Sequence, residues 1–419
     1  MTKRKDNKGR ILREGEIQKA DGRYEYRYQD LDGKRRSVYS WRLTETDTVP
    51  EGKRECQCLR GLEKQIIRDI QDGIQTNSNQ TLNDRWNAYI SGKVELKAST
   101  VEYYNKLYRY YIRDEIGKMN ISSINYSTIK RYFNKLIGEY GMLPSSANTV
   151  YTLLHPVFRI AVRDGLLRTN PTEGIMAELK KQSHWTQPKK HALTEEQQTI
   201  FLNYVKQSKR FEHWHPLFVC LLGTGCRIGE MLALRWEDIS WEENLIFVNL
   251  NLVIYGTDGK LNKLHISTPK TMSGKRVIPM FKSVRKALED EYKRQTNRGF
   301  RKDVIDGYTG FIWQNQSGNP ATPHIVNYTI DCIIREFNQK ETLQAVAECR
   351  EPKILPKFTA HQLRHTFCTR FCERETDLKI IQEIMGHSDI STTMNVYNES
   401  NLNRKRDSFS RLEFMNNVF

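Results

Sequence analysis

Between residues 11 and 41 aromatic and charged positions alternate, a period of two that reads as β-strand. Tyr24, Tyr26 and Tyr28 fall on one side of such a strand, with Arg23, Glu25 and Arg27 on the other. Asp21-Gly22 and Asp32-Gly33 are hairpin signals, because a tight hairpin turn needs positive φ. The period then lengthens. Leu59, Leu62, Ile66 and Ile70 form a helical stripe near residues 57–72, and Gly73 stops it. Residues 1–74 therefore read as a three-stranded antiparallel sheet backed by one helix.

A polar run from Gln75 to Gln80 reads as a linker. Three helical stripes follow. Val101, Tyr104, Tyr108, Tyr111 and Ile112 come after Ser99-Thr100. Ile129, Phe133, Leu136 and Ile137 lie near residues 128–139, and Val150, Leu153, Leu154, Val157, Phe158 and Ala161 near 147–164. Pro156 predicts a kink in the last of these. Residues 169–192, with Pro171, Gly174, Pro188, Lys189 and Lys190, read as a basic linker. A further domain begins near Leu193, where Thr194 and Gln197 suit a capping box. Gly223 and Gly225 interrupt the chain before Ile228, Met231 and Leu232 anchor a helix. Apolar runs at 245–255 and 261–267, joined by G-T-D-G, precede T-P-K-T-M-S-G-K-R-V-I-P. They read as a hairpin, a turn holding Lys270, and a third strand. Leu378, Ile381, Ile384 and Met385 make a last strong stripe, ended by Gly386. After a polar stretch, Phe409, Leu412, Met415 and Phe419 predict a short terminal helix whose apolar side must be buried somewhere.

At 419 residues the chain is long enough for about three domains. The net charge is +16, which points to a polyanionic partner, nucleic acid or an anionic membrane. No apolar run nears the roughly 18 residues that span a bilayer, and no apolar segment follows the basic opening as in a signal peptide. The opening itself, with Lys3, Arg4, Lys5, Lys8 and Arg10, reads as a flexible basic arm or a solvated tail. The eight cysteines form no CxxC pair, so a reduced, cytoplasmic protein is expected. His365, Cys368 and Cys372 share one helix and raise the idea of zinc, against which buried helical thiols are the commoner outcome. Half of the charge excess falls on residues 81–192, about a quarter of the length, which marks this segment as a clamp on a phosphate backbone. Candidate DNA-contacting residues are Arg23, Arg27, Arg35 and Arg36 on the sheet, and Lys106, Arg109, Arg113, Lys130 and Arg131 on the helices.

The chemistry is concentrated between Gly223 and Tyr397. His361 and Arg364 are three apart and share a helical face. His387 follows the glycine that ends a helix, and Tyr397 comes ten positions later. Arg227 opens a helix in G-T-G-C-R-I-G-E, where backbone N–H groups already favour an anion. This H-x-x-R … G-H-x9-Y pattern, with the Arg227 box and the Lys270 hairpin, resembles the tyrosine recombinase (phage integrase) family. The opening D-N-K-G-R-I-L with D-G-R-Y-E-Y-R-Y is similar to integrases of conjugative transposons.

The resemblance implies a multidomain α+β chain. Its parts are an arm-type DNA-binding domain (1–74), a helical, SAM-like core-binding domain (81–168), and a mainly α catalytic domain (193–419) with a small antiparallel sheet. It implies cutting and rejoining of DNA through a 3′-phosphotyrosyl intermediate, so that a mobile element is integrated and excised. Tyr397 would be the nucleophile, Arg227 and Arg364 the phosphate clamp, and Lys270 the acid for the leaving 5′ oxygen. His361 would accept the tyrosine proton or bond the phosphate, and His387 would bond a nonbridging oxygen. Glu230, one turn after Arg227, would orient that arginine. No cofactor and no metal is implied. The implied partners are double-stranded DNA at core and arm sites, a homotetramer on that DNA with the terminal helix docked in trans, and small excision proteins, with no membrane. Ala360 stands where many relatives have proline. Rival readings are a type IB topoisomerase, a non-catalytic DNA-binding regulator, and a metallohydrolase built on His361, His365 and His387.

Overall fold

The computed structural model describes residues 4–31, 33–75, 79–182, 192–256, 262–268, 274–300, 303–315, 317–375, 377–387, 389–391 and 394. The chain divides into two compact units, residues 1–187 and 188–419.

The first unit opens with strands β1 (Glu16–Gln18), β2 (Tyr24–Gln29) and β3 (Arg35–Ser40), paired antiparallel in chain order. Helix α1 (Leu59–Gln71) covers the sheet through a small core of Tyr24, Leu43 and Leu59. The expected separation of aromatic and charged sides is only partly kept. Glu25 is buried with Tyr24, because Arg27, Lys19 and Tyr39 satisfy its carboxylate. The first ten residues do not form a flexible arm from residue 4 onward. Lys5 bridges Ile11 across a turn, and Arg10 donates to Asp6 at 2.8 Å and to Asp47 at 2.9 Å. Asp6 and Asp47 are buried and Arg10 is half-buried, and such a contact fixes the backbone because the carboxylates would be stranded without the arginine.

The helical part of the same unit comprises α2 (Leu82–Ser91), α3 (Ala98–Leu107), α4 (Tyr126–Gly138), α5 (Pro144–Arg163) and α6 (Ile175–Gln182). Helix α3 runs on through a wider turn at Tyr108–Ile112. Trp86 of α2 stacks on Tyr108 at 4.3 Å in the centre of the core. Helix α5 starts on Pro144 and continues through Pro156 to Arg163. The linker reading of residues 169–192 needs correction. Ile175, Met176 and Leu179 of α6 are buried against α5, so a stripe of only two turns was hidden beneath its lysines. Arg168 ties this part to α1, donating to Asp69 at 2.5 Å and Asp72 at 2.6 Å.

The second unit is mostly helical: α7 (Glu195–Gln207), α8 (His215–Thr224), α9 (Ile228–Leu232), α10 (Lys282–Arg298), α11 (Pro323–Ala347), α12 (Ala360–Arg374) and α13 (Leu378–Met385). Thr194 and Gln197 form the expected capping box on α7. Strands β4 (Ile239–Ser240), β5 (Leu245–Val248) and β8 (Arg276–Pro279) make one antiparallel sheet. Strands β6 (Asn251–Tyr255) and β7 (Lys263–Ser267) make a separate hairpin. The expected small antiparallel sheet is present; among the described residues the third strand, β8, pairs with β5 rather than with its neighbour β7, which leaves β6 and β7 as a hairpin of their own. Among the described residues no helix is long and apolar enough to cross a membrane.

Candidate active site

The corner between α8 and α9 sets the first functional side chain. Helix α8 ends on Gly225 in the left-handed region (φ 63°). A Cβ there would lie 2.3 Å from Phe367 of α12, so only glycine lets the two helices approach this closely. Arg227 is then the N-cap residue of α9. Its Nη1 donates to Glu230 Oε1 at 2.7 Å and its backbone N–H to Glu230 Oε2 at 2.9 Å, so Glu230 does orient this arginine.

Helix α12 carries His361, Arg364 and His365. Its capping box is Thr359 with Gln362, and the Ala360 N–H donates to Asn327 Oδ1 at 2.9 Å. A proline at position 360 has no N–H for this bond, which gives alanine a local use. Arg364 is only 4% exposed. Its Nη1 donates to the Gly225 carbonyl at 2.7 Å and its Nη2 to the Met385 carbonyl at 2.6 Å. His361 is exposed one turn away on the same helix, and His365 is half-buried.

Helix α13 ends as its stripe predicts. Asp377 caps its start, and Gly386 takes the left-handed conformation (φ 63°) at its end. His387 follows, 7% exposed. Its backbone N–H donates to Gln382 O at 3.1 Å, and Gln382 Nε2 donates to His387 O at 3.0 Å, which fixes this residue to the helix end.

Sequence reasoning missed Arg276. It is buried on β8, where Nη2 donates to Glu230 Oε2 at 2.8 Å and Nε to the Ile384 carbonyl at 2.7 Å. The signal was present, since period two places Arg276 on the same inward side as Ile278. A buried arginine there requires a carboxylate.

Two guanidinium groups, Arg227 and Arg276, therefore hold one carboxylate, and Arg364 lies within electrostatic reach of all three. Burial alone would raise the Glu230 pKa, but Arg276 and Arg227 outweigh it and hold the group below the usual carboxylate range. Burial, with Arg227 and Arg276 nearby, pushes Arg364 down to about 10, which still leaves it charged at neutral pH. Burial and the same arginines push His387 down to about 4, so it is neutral. The cluster keeps a surplus of positive charge in a partly dry place. Planar forked donors with surplus charge suit the nonbridging oxygens of a phosphodiester.

The neutral state of His387 has a measurable consequence. Its folded pKa lies below the ordinary value of 6.5, so below that pH the unfolded chain binds more protons. The stability contribution is complete above about pH 6.5 and is lost towards about pH 4, at up to ~1.4 kcal/mol per pH unit. Thermal unfolding between pH 7 and 5 should show a shallower loss for His387→Gln than for the wild type; equal slopes contradict this.

Lys270 and Tyr397 lie outside the described residues, as does the terminal stripe from Phe409 to Phe419. Strand β7 ends at Ser267 and β8 begins at Arg276, on either side of the Lys270 segment. The zinc idea gains nothing. Cys368 and Cys372 are buried, and the hydrogen bond between them, with burial, pushes the Cys368 thiol well up, away from the thiolate a metal needs.

Of the basic residues expected to meet DNA, Arg23, Arg27, Arg35 and Arg36 are exposed on or beside the sheet. Arg23 lies over Tyr39 and Trp41. Lys106, Arg109, Arg113 and Arg131 are exposed in the helical part, and Lys130 is half-buried. Several have acidic neighbours: Arg109 pairs with Glu102 at 2.7 Å, Arg113 with Asp114 at 3.2 Å and Lys130 with Glu178 at 2.7 Å. These pairs lower the free charge of the expected clamp.

Residues 191–404 match the model of the phage integrase family, and residues 1–70 match that of the DNA binding domain of Tn916 integrase. The transposase from transposon Tn1545 of Streptococcus pneumoniae is 32% identical over 98% of this chain and 96% of its own. The transposase from transposon Tn916 of Enterococcus faecalis shows the same identity and coverage. Among solved structures, the Tn1549 transposon integrase in complex with transposon right end DNA is 28% identical, covers 80% of this chain and 100% of that one, and has a TM-score of 0.69. A lambda integrase dimer bound to a core site shares the fold, at 15% identity over 94% of this chain and 97% of that one, with a TM-score of 0.51.

Proposed function

This chain belongs to the phage integrase family, and from that premise we infer that it is a site-specific tyrosine recombinase that integrates and excises a conjugative transposon. The observation that best supports the reading is the convergence of Arg227, Arg364 and neutral His387 around one helix end, with surplus positive charge.

In the mechanism we propose, Arg227 and Arg364 clamp the nonbridging oxygens of the scissile phosphate, and His387 donates one hydrogen bond to them. The Tyr397 oxygen attacks phosphorus and loses its proton to His361. The bond from phosphorus to the 5′ oxygen breaks, and Lys270 protonates that oxygen. The 3′-phosphotyrosyl ester conserves the bond energy, so a new 5′ hydroxyl reverses the step and rejoins the strand. Neither ATP nor a metal ion enters this scheme. Exchange between two duplexes cuts four strands, and one nucleophile per chain calls for four protomers. The work takes place in the bacterial cytoplasm, with small excision proteins setting direction.

A plasmid carrying both element ends should recombine in EDTA without ATP, and light scattering of the synaptic complex should give four protomers. Loss of recombination in EDTA with DNA binding unchanged would falsify the metal-free scheme. Relaxation of plasmid lacking any element end would favour the topoisomerase reading instead.

We assign residues 1–74 to arm sites, 81–168 to the core site, and 193–419 to catalysis. The exposed arginines of the N-terminal sheet support the first assignment. Full-length protein with Arg23, Arg27, Arg35 and Arg36 changed to Ala should bind arm DNA with a salt slope smaller by about 0.9 per lost phosphate contact. Core-site binding should stay as in the wild type. An unchanged slope on arm DNA contradicts the assignment.

A further inference from the structure

The last carbonyls of a helix lack partners within it. At the end of α13 three successive carbonyls each accept from a different arginine. Ile384 O takes Arg276 Nε at 2.7 Å, Met385 O takes Arg364 Nη2 at 2.6 Å, and Gly386 O takes Arg227 Nη2 at 3.0 Å. Cations also suit this end of the helix dipole. The turn that carries His387 is therefore held by three separate elements: β8, α12 and the α8–α9 corner.

Arg227 and Arg276 are not equivalent. The Arg227 side chain is 40% exposed, within reach of a substrate. The Arg276 side chain is 5% exposed and committed inward. Beyond Ile384 O it reaches Glu230 Oε2 at 2.8 Å, Cys226 Sγ at 3.7 Å and the Gly274 carbonyl at 3.4 Å. Glu230 in turn holds both the side chain and the backbone N–H of Arg227. Arg276 is thus the joint between the strand after the Lys270 segment, the carboxylate that aims Arg227, and the helix end that places His387.

We propose that Arg276 is a positioning residue for strand cleavage, which sets Arg227, through Glu230, in register with the end of α13 and His387. The proposal rests on the recombinase reading of the site. The planar guanidinium of Arg276 places Nε on Ile384 O and Nη2 on Glu230 in one fixed geometry, which the single ammonium nitrogen of lysine does not reproduce.

The test is single-turnover cleavage of a nicked suicide DNA by the full-length wild type, Arg276→Leu and Arg276→Lys. Adduct amplitude reports the folded, competent fraction, and the rate at saturating DNA reports positioning. A misplacement of 1 Å can cost about 100-fold, and that is the expected fall in rate for Arg276→Leu. Arg276→Lys keeps a charge beside Glu230 but loses the fork, and about a tenfold fall is expected, equivalent to roughly 1.4 kcal/mol. Half-saturating DNA should stay near the wild-type value for both. If either variant cleaves at the wild-type rate with only its amplitude reduced, Arg276 is purely structural and the proposal is overturned. Should Arg276→Leu not fold, the rate of Arg276→Lys decides alone. A wild type that forms no adduct overturns the recombinase reading itself, and the proposal with it; that outcome is distinguishable because it does not depend on Arg276.

Discussion

Tyr397→Phe should form no covalent adduct with DNA while binding core sites within about twofold of the wild type. The substitution removes one oxygen and leaves the ring. Without that oxygen the proposed bond to phosphorus cannot form, because the remaining phenyl ring carries no nucleophile. Affinity should survive because it comes mainly from many phosphate contacts spread over the chain. Gel-shift titration at fixed salt, beside denaturing gels of a suicide substrate, separates the two quantities. An adduct that persists in the variant removes Tyr397 from its role.

Arg364→Lys should lower the cleavage rate by about 100- to 1,000-fold, the usual result of losing one preorganised donor at a developing charge. Arg364 is the more buried arginine of the proposed clamp, with two bonds to backbone carbonyls, Gly225 O and Met385 O. A lysine can satisfy one of them and cannot fork. The carbonyl left without a partner should cost about 1–3 kcal/mol of stability, visible in denaturant unfolding. Binding should weaken far less than cleavage. A cleavage rate within about threefold of the wild type would show that Arg364 does not contact the reacting phosphate.

Much of the candidate site was legible because its signals are local. His361 and Arg364 are one helical turn apart, and Gly386 ends the stripe of α13 just before His387. Glu230 lies three residues from the arginine it orients. Spacing along a helix needs no knowledge of the rest of the chain. The misses are the interactions that close over long loops. Arg276 meets Ile384 across more than a hundred residues, and β8 chooses β5 over the adjacent β7. Helix α6 escaped because two turns give too short a period to stand out from Pro171, Gly174 and the lysines around it. Helix α2 escaped for a related reason, with Leu82 and Trp86 as its only fully buried residues. The ordered opening was hidden as well, since a basic run reads as solvated until Asp47 is known to lie against Arg10.

The most direct test of the account is the identity of the bond between protein and DNA. Wild-type protein should be trapped on a nicked suicide substrate in EDTA, digested with protease, and the DNA-linked peptide sequenced by mass spectrometry. The account predicts one linked peptide, containing Tyr397, joined through its phenolic oxygen to the 3′ phosphate at the cut. No linked peptide, a link through any other residue, or a link to a 5′ phosphate would contradict it.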